Sequence, residues 1–320
     1  MRKLLPIYFI LMGLQAFGQP GPYPAAAGKW GSTAVPADTN LIVRWADQCS
    51  VVRGYLDMSD KSLGRVSHGW DSLALGMADN QVVSLGDSGV ATFYFDPPIS
   101  DVPGMDLAIF ENSFDDRYLE LAFVEVSSDG QNFYRFPSSS LTQSQVQTGP
   151  FDFTDPTDLH NLAGKYRGGF GTPFDLKDLD SVQGLNLQAV THVRVIDVVG
   201  SIAPSIATHD ASGRIINDPF PTPFPSGGFD LDAVAVLQAN TLSEVELATS
   251  SIDWKILHHD LVVYSPSRSE LEVELFSLDG RHLGRETGMG TCRIFLGDEP
   301  VLVVSIRCGQ RFSIIKVLND

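Results

Sequence analysis

Residues 119–136 read LELAFVEVSSDGQNFYRF, and the fold turns on this stretch. The apolar run Leu121-Ala122-Phe123-Val124-Glu125-Val126 meets Ser127-Ser128-Asp129-Gly130, and a second run rich in aromatic residues follows. Asp-Gly between two such runs signals a hairpin, because the tight turn needs positive φ, which Gly adopts without steric cost. Upstream, Val90-Ala91-Thr92-Phe93-Tyr94-Phe95 stops at Asp96-Pro97-Pro98; downstream, residues 193–199 and 233–237 are further β-branched runs. Helical spacing is scarce, and its best candidate is residues 40–49, with Asn40 as N-cap. Many short strands with turn chemistry between them predict an all-β chain, folded as an antiparallel β-sandwich or jelly roll.

The same reading divides the chain. Arg2 and Lys3, the apolar residues 4–14 and the small residues around Ala16-Phe17-Gly18 form the three parts of a signal peptide, placed at residues 1–18. That run is shorter than the roughly 20 residues that span a bilayer, and no later stretch qualifies, so no transmembrane segment is expected. An exported chain, secreted or held at the outer surface, follows. Residues 19–239 are assigned to the β-sandwich and 240–253 to a polar linker. Residues 254–320 are assigned to a second, small β-sandwich with four strands, at 261–264, 271–278, 301–307 and 311–317. Cys292 and Cys308 are expected to pair in an oxidising compartment, leaving Cys49 odd.

The 320 residues supply ample chain for one large core and one small one, and 43% hydrophobic residues is the composition of a globular protein. A formal net charge of −17 argues against nucleic-acid or anionic-membrane binding, both of which need a basic face. It also supplies oxygen ligands for hard cations.

Strand alternation singles out particular acids. Val193, Val195, Asp197 and Val199 share one face of a strand, and Asp230 and Asp232 share a face with Val234 and Val236. A carboxylate among valines must find a partner, a metal or a proton, since burying an unpaired charge is costly. Glu111 ends another apolar strand, followed by Asn112, with Asp115 and Asp116 behind. Glu111, Asn112, Asp197, Asp230 and Asp232 are therefore the candidate ligands of a Ca²⁺ ion, which takes six to eight oxygens. The competing reading is that these acids cap strand ends, bond to turn amides or pair with Arg194 and Lys165. An acid–base pair for hydrolysis is the enzymatic alternative.

No complete catalytic signature is present. Gly86-Asp87-Ser88-Gly89 reads as a turn, since Val90 stands where a serine-protease nucleophile loop has Gly. Arg167 to Gly171 lacks the Lys-Ser/Thr of a phosphate loop, and His258-His259 and the other histidines show no zinc spacing. A binding platform is the stronger expectation. Pro219-Phe220-Pro221-Thr222-Pro223-Phe224-Pro225 is a stiff loop that could hold Phe220 and Phe224 outward with little entropy left to lose. Tyr166, Arg167 and Phe170, on the glycine-rich loop at 164–173, could complete a surface that stacks on a sugar or corrinoid ring. The alternative is that both phenylalanines tuck inward as core.

Two resemblances add to this. Asp106-Leu107-Ala108-Ile109-Phe110-Glu111-Asn112-Ser113-Phe114, the 119–136 stretch, Asn161-Leu162-Ala163-Gly164-Lys165-Tyr166, Gly171-Thr172-Pro173-Phe174-Asp175-Leu176, residues 191–200 and Gly227-Gly228-Phe229-Asp230-Leu231-Asp232-Ala233-Val234 resemble, in order, the blocks of an uncharacterised family of bacterial cell-surface proteins. The hairpin at 124–133 is also similar to that of discoidin-like carbohydrate-binding jelly rolls. From Trp254 the chain resembles the sorting domain that type IX secretion systems recognise, through Leu275-Phe276-Ser277-Leu278-Asp279-Gly280-Arg281 and Ile314-Ile315-Lys316-Val317. Tyr264-Ser265-Pro266 stands in place of the usual Tyr-Pro-Asn-Pro opening. The resemblances imply export, with residues 254–320 as partner of the secretion machinery. The expected function is a surface-displayed or secreted protein, stabilised by Ca²⁺, that binds a glycan or another small polar ligand. A jelly-roll hydrolase or lyase and a structural surface-layer or adhesion module are the alternatives.

Overall fold

The computed structural model describes residues 21–29, 31–238, 253–257, 260–265, 269–277, 281–296, 301–308 and 311–318. The expected signal peptide, most of the expected linker, His258-His259 and Pro266 lie outside the described residues. The chain divides into two compact units, Met1–Asn240 and Thr241–Asp320. No helix among the described residues is long and apolar enough to cross a membrane.

The first unit contains β1 (Val35–Pro36), β2 (Ile42–Trp45), β3 (Cys49–Val52), β4 (Val83–Ser84), β5 (Val90–Ile99), β6 (Leu107–Glu111), β7 (Ala122–Ser127), β8 (Tyr134–Arg135), β9 (Ser139–Ser140), β10 (Leu159–His160), β11 (Phe170–Phe174), β12 (Val190–Asp197) and β13 (Asp230–Leu237). One sheet runs β1-β11-β6-β13-β2, with β4 also on β13; the other runs β3-β5-β12-β7-β8. All these pairings are antiparallel. Phe93, Val124, Val126, Val193 and Val195 of the second sheet meet Leu107, Ile109, Phe174, Leu231, Val234 and Val236 of the first in one core. The chain is an all-β antiparallel sandwich, as its sequence predicts. Each such side chain contributes about 1.5–3 kcal/mol by leaving water.

The central strands are apolar on both faces because both are covered. In β7, Ala122, Val124 and Val126 face the main core, while Phe123 packs with Leu119, Leu121, Leu159 and Ile216 on the other side. In β6, Leu107 and Ile109 face that core, and Ala108 and Phe110 pack with Val35 and Ala235. The 119–136 hairpin forms as expected between β7 and β8. The Asp129 carboxylate accepts from the amides of Gln131 and Asn132, both at 2.8 Å. Gly130 has φ 71°, and a Cβ there would lie 2.7 Å from the His192 ring. Two features make this turn a glycine: the positive φ and the close approach.

Two expectations in this unit are corrected. Residues 40–49 are not a helix: β2 pairs with β13, and β3 begins at Cys49. Val43 points out, 56% exposed, while Ile42 and Trp45 both pack against the cluster containing Phe110, because the register shift opposite Val236 and Leu237 makes Val43 the extra residue of a bulge. β5 does not stop at Asp96-Pro97-Pro98 but continues to Ile99, paired with Val190 across a register shift.

The second unit is a smaller antiparallel sandwich. It comprises β14 (Asp253–Leu257), β15 (Asp260–Tyr264), β16 (Glu270–Ser277), β17 (His282–Met289), β18 (Thr291–Phe295), β19 (Val301–Cys308) and β20 (Arg311–Leu318), in sheets β14-β15-β18 and β17-β16-β19-β20. Its core joins Leu261, Val263 and Ile294 with Leu271, Val273, Leu302 and Val304. The four expected strands are present, with β14, β17 and β18 in addition. The polar run of β17, HLGRETGM, carries no apolar alternation and is held by backbone pairing to β16. Cys292 and Cys308 share this core as free thiols, not as the expected bridge.

Candidate functional site

A cleft of about 440 Å³ opens where β6 ends, where β7 and β13 begin, and where the proline-rich loop passes. Glu111, the last residue of β6, Glu120, two residues before β7, and Asp230, the first residue of β13, supply its carboxylates. Asn112, Ser113, Phe114 and Tyr118 come from the loop after β6, Phe151 from the loop between β9 and β10, and Thr222, Phe224, Ser226 and Gly227 from the proline-rich segment.

Backbone packing sets these side chains in place. Ala122 and Ala163 exchange backbone hydrogen bonds of 3.1 and 2.9 Å, drawing the 161–166 segment against the entry to β7. Gly164, at φ 81°, permits that contact, since a Cβ there would lie 1.8 Å from the Glu120 carbonyl oxygen. Leu119 and Leu121 turn into the apolar cluster beside β7, and Glu120 between them turns to the cleft. The Ser113 amide donates to Glu111 Oε2 at 2.8 Å, and the Ser113 hydroxyl bonds to the carbonyls of Asp115 and Tyr118, tightening the loop. Tyr118 donates to the Pro150 carbonyl at 3.0 Å and so anchors the Phe151 loop. The rings of Phe114 and Tyr118 stack at 4.7 Å, and those of Phe151 and Phe224 stand 6.0 Å apart. Phe114 is 77% exposed, Phe151 71% and Phe224 41%.

The electrostatics are dominated by acids, with His68 acting against them on Asp230 from outside the lining. Glu120 is buried, and desolvation holds its carboxyl well above the usual range, reinforced by Asp230, Glu111, Asp218 and Asp197. Burial raises Glu111 in the same way, against the Ser113 amide and with Asp230 adding to the rise. Asp230 is pushed up to about 6 by burial, opposed by the Ser84 hydroxyl, which donates to it at 2.5 Å. No Lys, Arg or His lines the cleft among the described residues. The bases that the sequence offers as partners are engaged elsewhere. Lys165 is buried and donates to the Leu159 carbonyl at 2.6 Å. Arg194 reaches Glu125 at 3.5 Å and lies 3.4 Å over the Phe133 ring.

The structure thus gathers three of the five expected cation ligands, Glu111, Asn112 and Asp230, into one cleft, and places the other two outside it. Asp197 accepts from the Ser88 amide at 2.9 Å and the Phe229 amide at 2.7 Å. Asp232 accepts from the amides of Asp79 and Asn80, both at 3.1 Å. The expected sharing of a face by Asp230, Asp232, Val234 and Val236 is corrected by a register shift between Leu231 and Ala233. Across it, Leu231 lies in the main core with Val234 and Val236, while Ala233 and Ala235 face the other way. That is the signature of a β-bulge, which spends one extra residue on one strand.

The expected stacking platform also divides. Phe224 lines the cleft, but Phe220 is buried at 8% exposure and Tyr166 at 1%, its hydroxyl 2.9 Å from that of Thr33. Arg167 pairs with Asp116 and covers the Phe170 ring at 4.6 Å, so neither presents a free face there. The sequence reading missed Glu120, Phe114, Tyr118 and Phe151. Glu120 had a usable signal, an acid between two leucines at the mouth of a strand; Phe151 sits in a long loop with no periodicity to place it. One further trio, Asp101, Asp106 and Asp175, holds its carboxylate oxygens within 4.8 Å of one another, away from this cleft. Asp106 there accepts from the amides of Val102 and Leu176, and Asp175 from that of Lys177.

No family model matches the sequence, and no curated protein matches it. Among solved structures, the fold is similar to a β-glucuronidase from Ruminococcus gnavus in complex with uronic deoxynojirimycin, at 10% identity and TM-score 0.24, covering 89% of this chain and 46% of that one. The same enzyme with D-glucuronic acid gives 11% and 0.25 over the same shares. A Lactobacillus rhamnosus β-glucuronidase gives 11% and 0.19, covering 72% of this chain and 36% of the other. The chain spans less than half the length of these enzymes. At TM-scores this low the likeness carries no argument about activity.

Proposed function

We propose that the first unit is an exported carbohydrate-binding module, and that its ligand is a neutral glycan held in the acid-floored, aromatic-rimmed cleft. The observation that carries this is the meeting of exposed Phe114, Phe151 and Phe224 with the carboxylates of Glu111, Glu120 and Asp230 in one cavity. Sugar hydroxyls donate to carboxylates, and the apolar faces of a pyranose ring cover aromatic rings, so both halves of the cleft are used by one ligand. A uronic acid would bring a like charge to a site without a base, so neutral sugars are favoured. The signal-type residues 1–18 and the sorting-type residues 254–320 support export to the outer surface, the second unit acting as the handle for the secretion machinery.

Titration calorimetry of the full chain with neutral and uronic oligosaccharides tests this. Binding is expected for a neutral class, with Phe224→Ala and Phe151→Ala each weakening it by roughly tenfold, about 1.4 kcal/mol. Absence of binding to every oligosaccharide, or unchanged affinity in both variants, would overturn the reading. One observation favours hydrolysis as a second reading: burial raises the Glu120 carboxyl well above the usual range, the direction that a general acid needs. Release of new reducing ends from a bound oligosaccharide, abolished in Glu120→Gln, would decide for it.

A further inference from the structure

The cleft holds more acid than its surroundings balance. Glu120 is 8% exposed and faces the cavity, and among the described residues its side chain has no hydrogen-bond or ion-pair partner. Asp218 behind it accepts from the Leu121 amide at 3.0 Å through Oδ2, and leaves Oδ1 buried with no partner. Buried polar groups in folded proteins are nearly always satisfied, and a buried carboxylate without a partner costs several kcal/mol. A positive charge in the cavity would answer Glu111, Glu120 and Asp230 together.

We propose that a hydrated divalent cation, Ca²⁺, binds in this cleft on the carboxylates of Glu111, Glu120 and Asp230. The donors are hard oxygens, those three carboxylates with the Asn112 amide and the hydroxyls of Thr222 and Ser226 close by, and the cleft offers no thiol or imidazole. That set selects Ca²⁺ or Mg²⁺ over Zn²⁺ or Cu²⁺. The three carboxylates do not converge within 4.8 Å, as Asp101, Asp106 and Asp175 do, so the ion touches at most two of them directly and reaches the third through its own water. Ca²⁺, with six to eight oxygens in a flexible shell, tolerates this; Mg²⁺ demands a near-ideal octahedron. The compact trio has no buried carboxyl without a partner, since Asp106 spends both oxygens on backbone amides, Asp175 caps a turn and Asp101 is only half-buried. The proposal stands whether or not the cleft takes a glycan, since it rests on the unpartnered Glu120 carboxylate beside Glu111 and Asp230.

Calorimetric titration of the metal-stripped full chain with CaCl₂, without sugar, is the test. One site is expected, weakened by roughly tenfold or more in Glu120→Gln and in Asp230→Asn, because carboxylate count sets Ca²⁺ affinity. Asp101→Asn should bind as wild type does. Circular dichroism confirms that each variant is folded, and Asp230→Asn serves if Glu120→Gln is not. No binding to wild type, unchanged binding in the folded cleft variants, or loss confined to Asp101→Asn would overturn the proposal. Ca²⁺ binding without any glycan binding would sink the carbohydrate reading alone.

Discussion

At the scale of one residue, Asp197 shows how a carboxylate comes to sit at the end of a valine face. Its two oxygens take the amides of Ser88 and Phe229, so it joins the turn before β5 to the entry of β13. Burial, with Asp87 nearby, raises its carboxyl well above the usual range. Asp197→Ala would orphan the buried Phe229 N–H and free the part-buried Ser88 N–H, and is expected to lower unfolding stability by about 1–3 kcal/mol. The loss should be equal in Ca²⁺ and in chelator by urea denaturation; a loss seen only with Ca²⁺ would make Asp197 a ligand instead. The need for a partner was legible in the sequence, because strand alternation put an acid among valines. The partner's identity was not, because the two amides lie 109 and 32 residues away and only the closed sandwich brings them there. Glu120 is the converse case. Its setting between two leucines was plain, but that it would meet Glu111 and Asp230 depended on three separate segments closing together.

At the scale of elements, local signals were read correctly and partner-dependent ones were not. The β7–β8 hairpin is written in four consecutive residues, and the turn chemistry of Asp129-Gly130 fixes it without reference to the rest of the chain. Residues 40–49 mislead because the short apolar run at 41–46 cannot show a period, and pairing to β13 decides for strand. Asn40, read as a helix cap, instead accepts from the Gln238 side chain through its carbonyl, at 3.0 Å. The bulge at Leu231 to Ala233 is also invisible locally, since it exists only relative to β6. Without the extra residue to absorb it, the three-residue spacing would put Leu231 and Val234 on opposite faces. Deleting Asp232 should therefore close the bulge, leaving Leu231 in the main core and Ala233 on the other face as neighbours on a regular strand. Asp232→Ala keeps the bulge and frees only the amides of Asp79 and Asn80, two exposed residues. Both changes lose the same two hydrogen bonds, each a net contribution of about 0.5–1.5 kcal/mol. Thermal melts should show the deletion close to the substitution; a deletion far less stable would mean that the bulge itself holds the entry of β13 in place.

At the scale of the whole molecule, the net charge of −17 is distributed so that much of it lies where water is scarce. Asp87, Asp106, Asp230 and Asp232 are each raised to about 6, in every case chiefly by burial, and Glu111, Glu120, Asp197 and Asp218 are raised for the same leading reason. A carboxyl whose folded pKa exceeds its unfolded one holds its proton more tightly in the folded chain. Its contribution to stability is complete below the unfolded value and is lost as pH rises through the folded one. Asp129 runs the other way, lowered by the Asn132 and Gln131 amides, but its contribution is lost only in far stronger acid. His160, lowered by burial, opposes the trend as one group, and Lys165, lowered to about 8 by burial, acts above the window. In chelator, the melting temperature is therefore expected to be higher at about pH 5 than at about pH 7.5, against the usual behaviour of proteins whose acids are salt-bridged. Millimolar Ca²⁺ should raise the value at the higher pH and do little at the lower, where protons already occupy the acids. Melting curves at both pH values, with and without Ca²⁺, read this directly. A melting temperature that climbs from about pH 5 to about pH 7.5 in chelator would mean that the buried acids are stabilised as anions by partners within the fold, and that burial does not govern their titration.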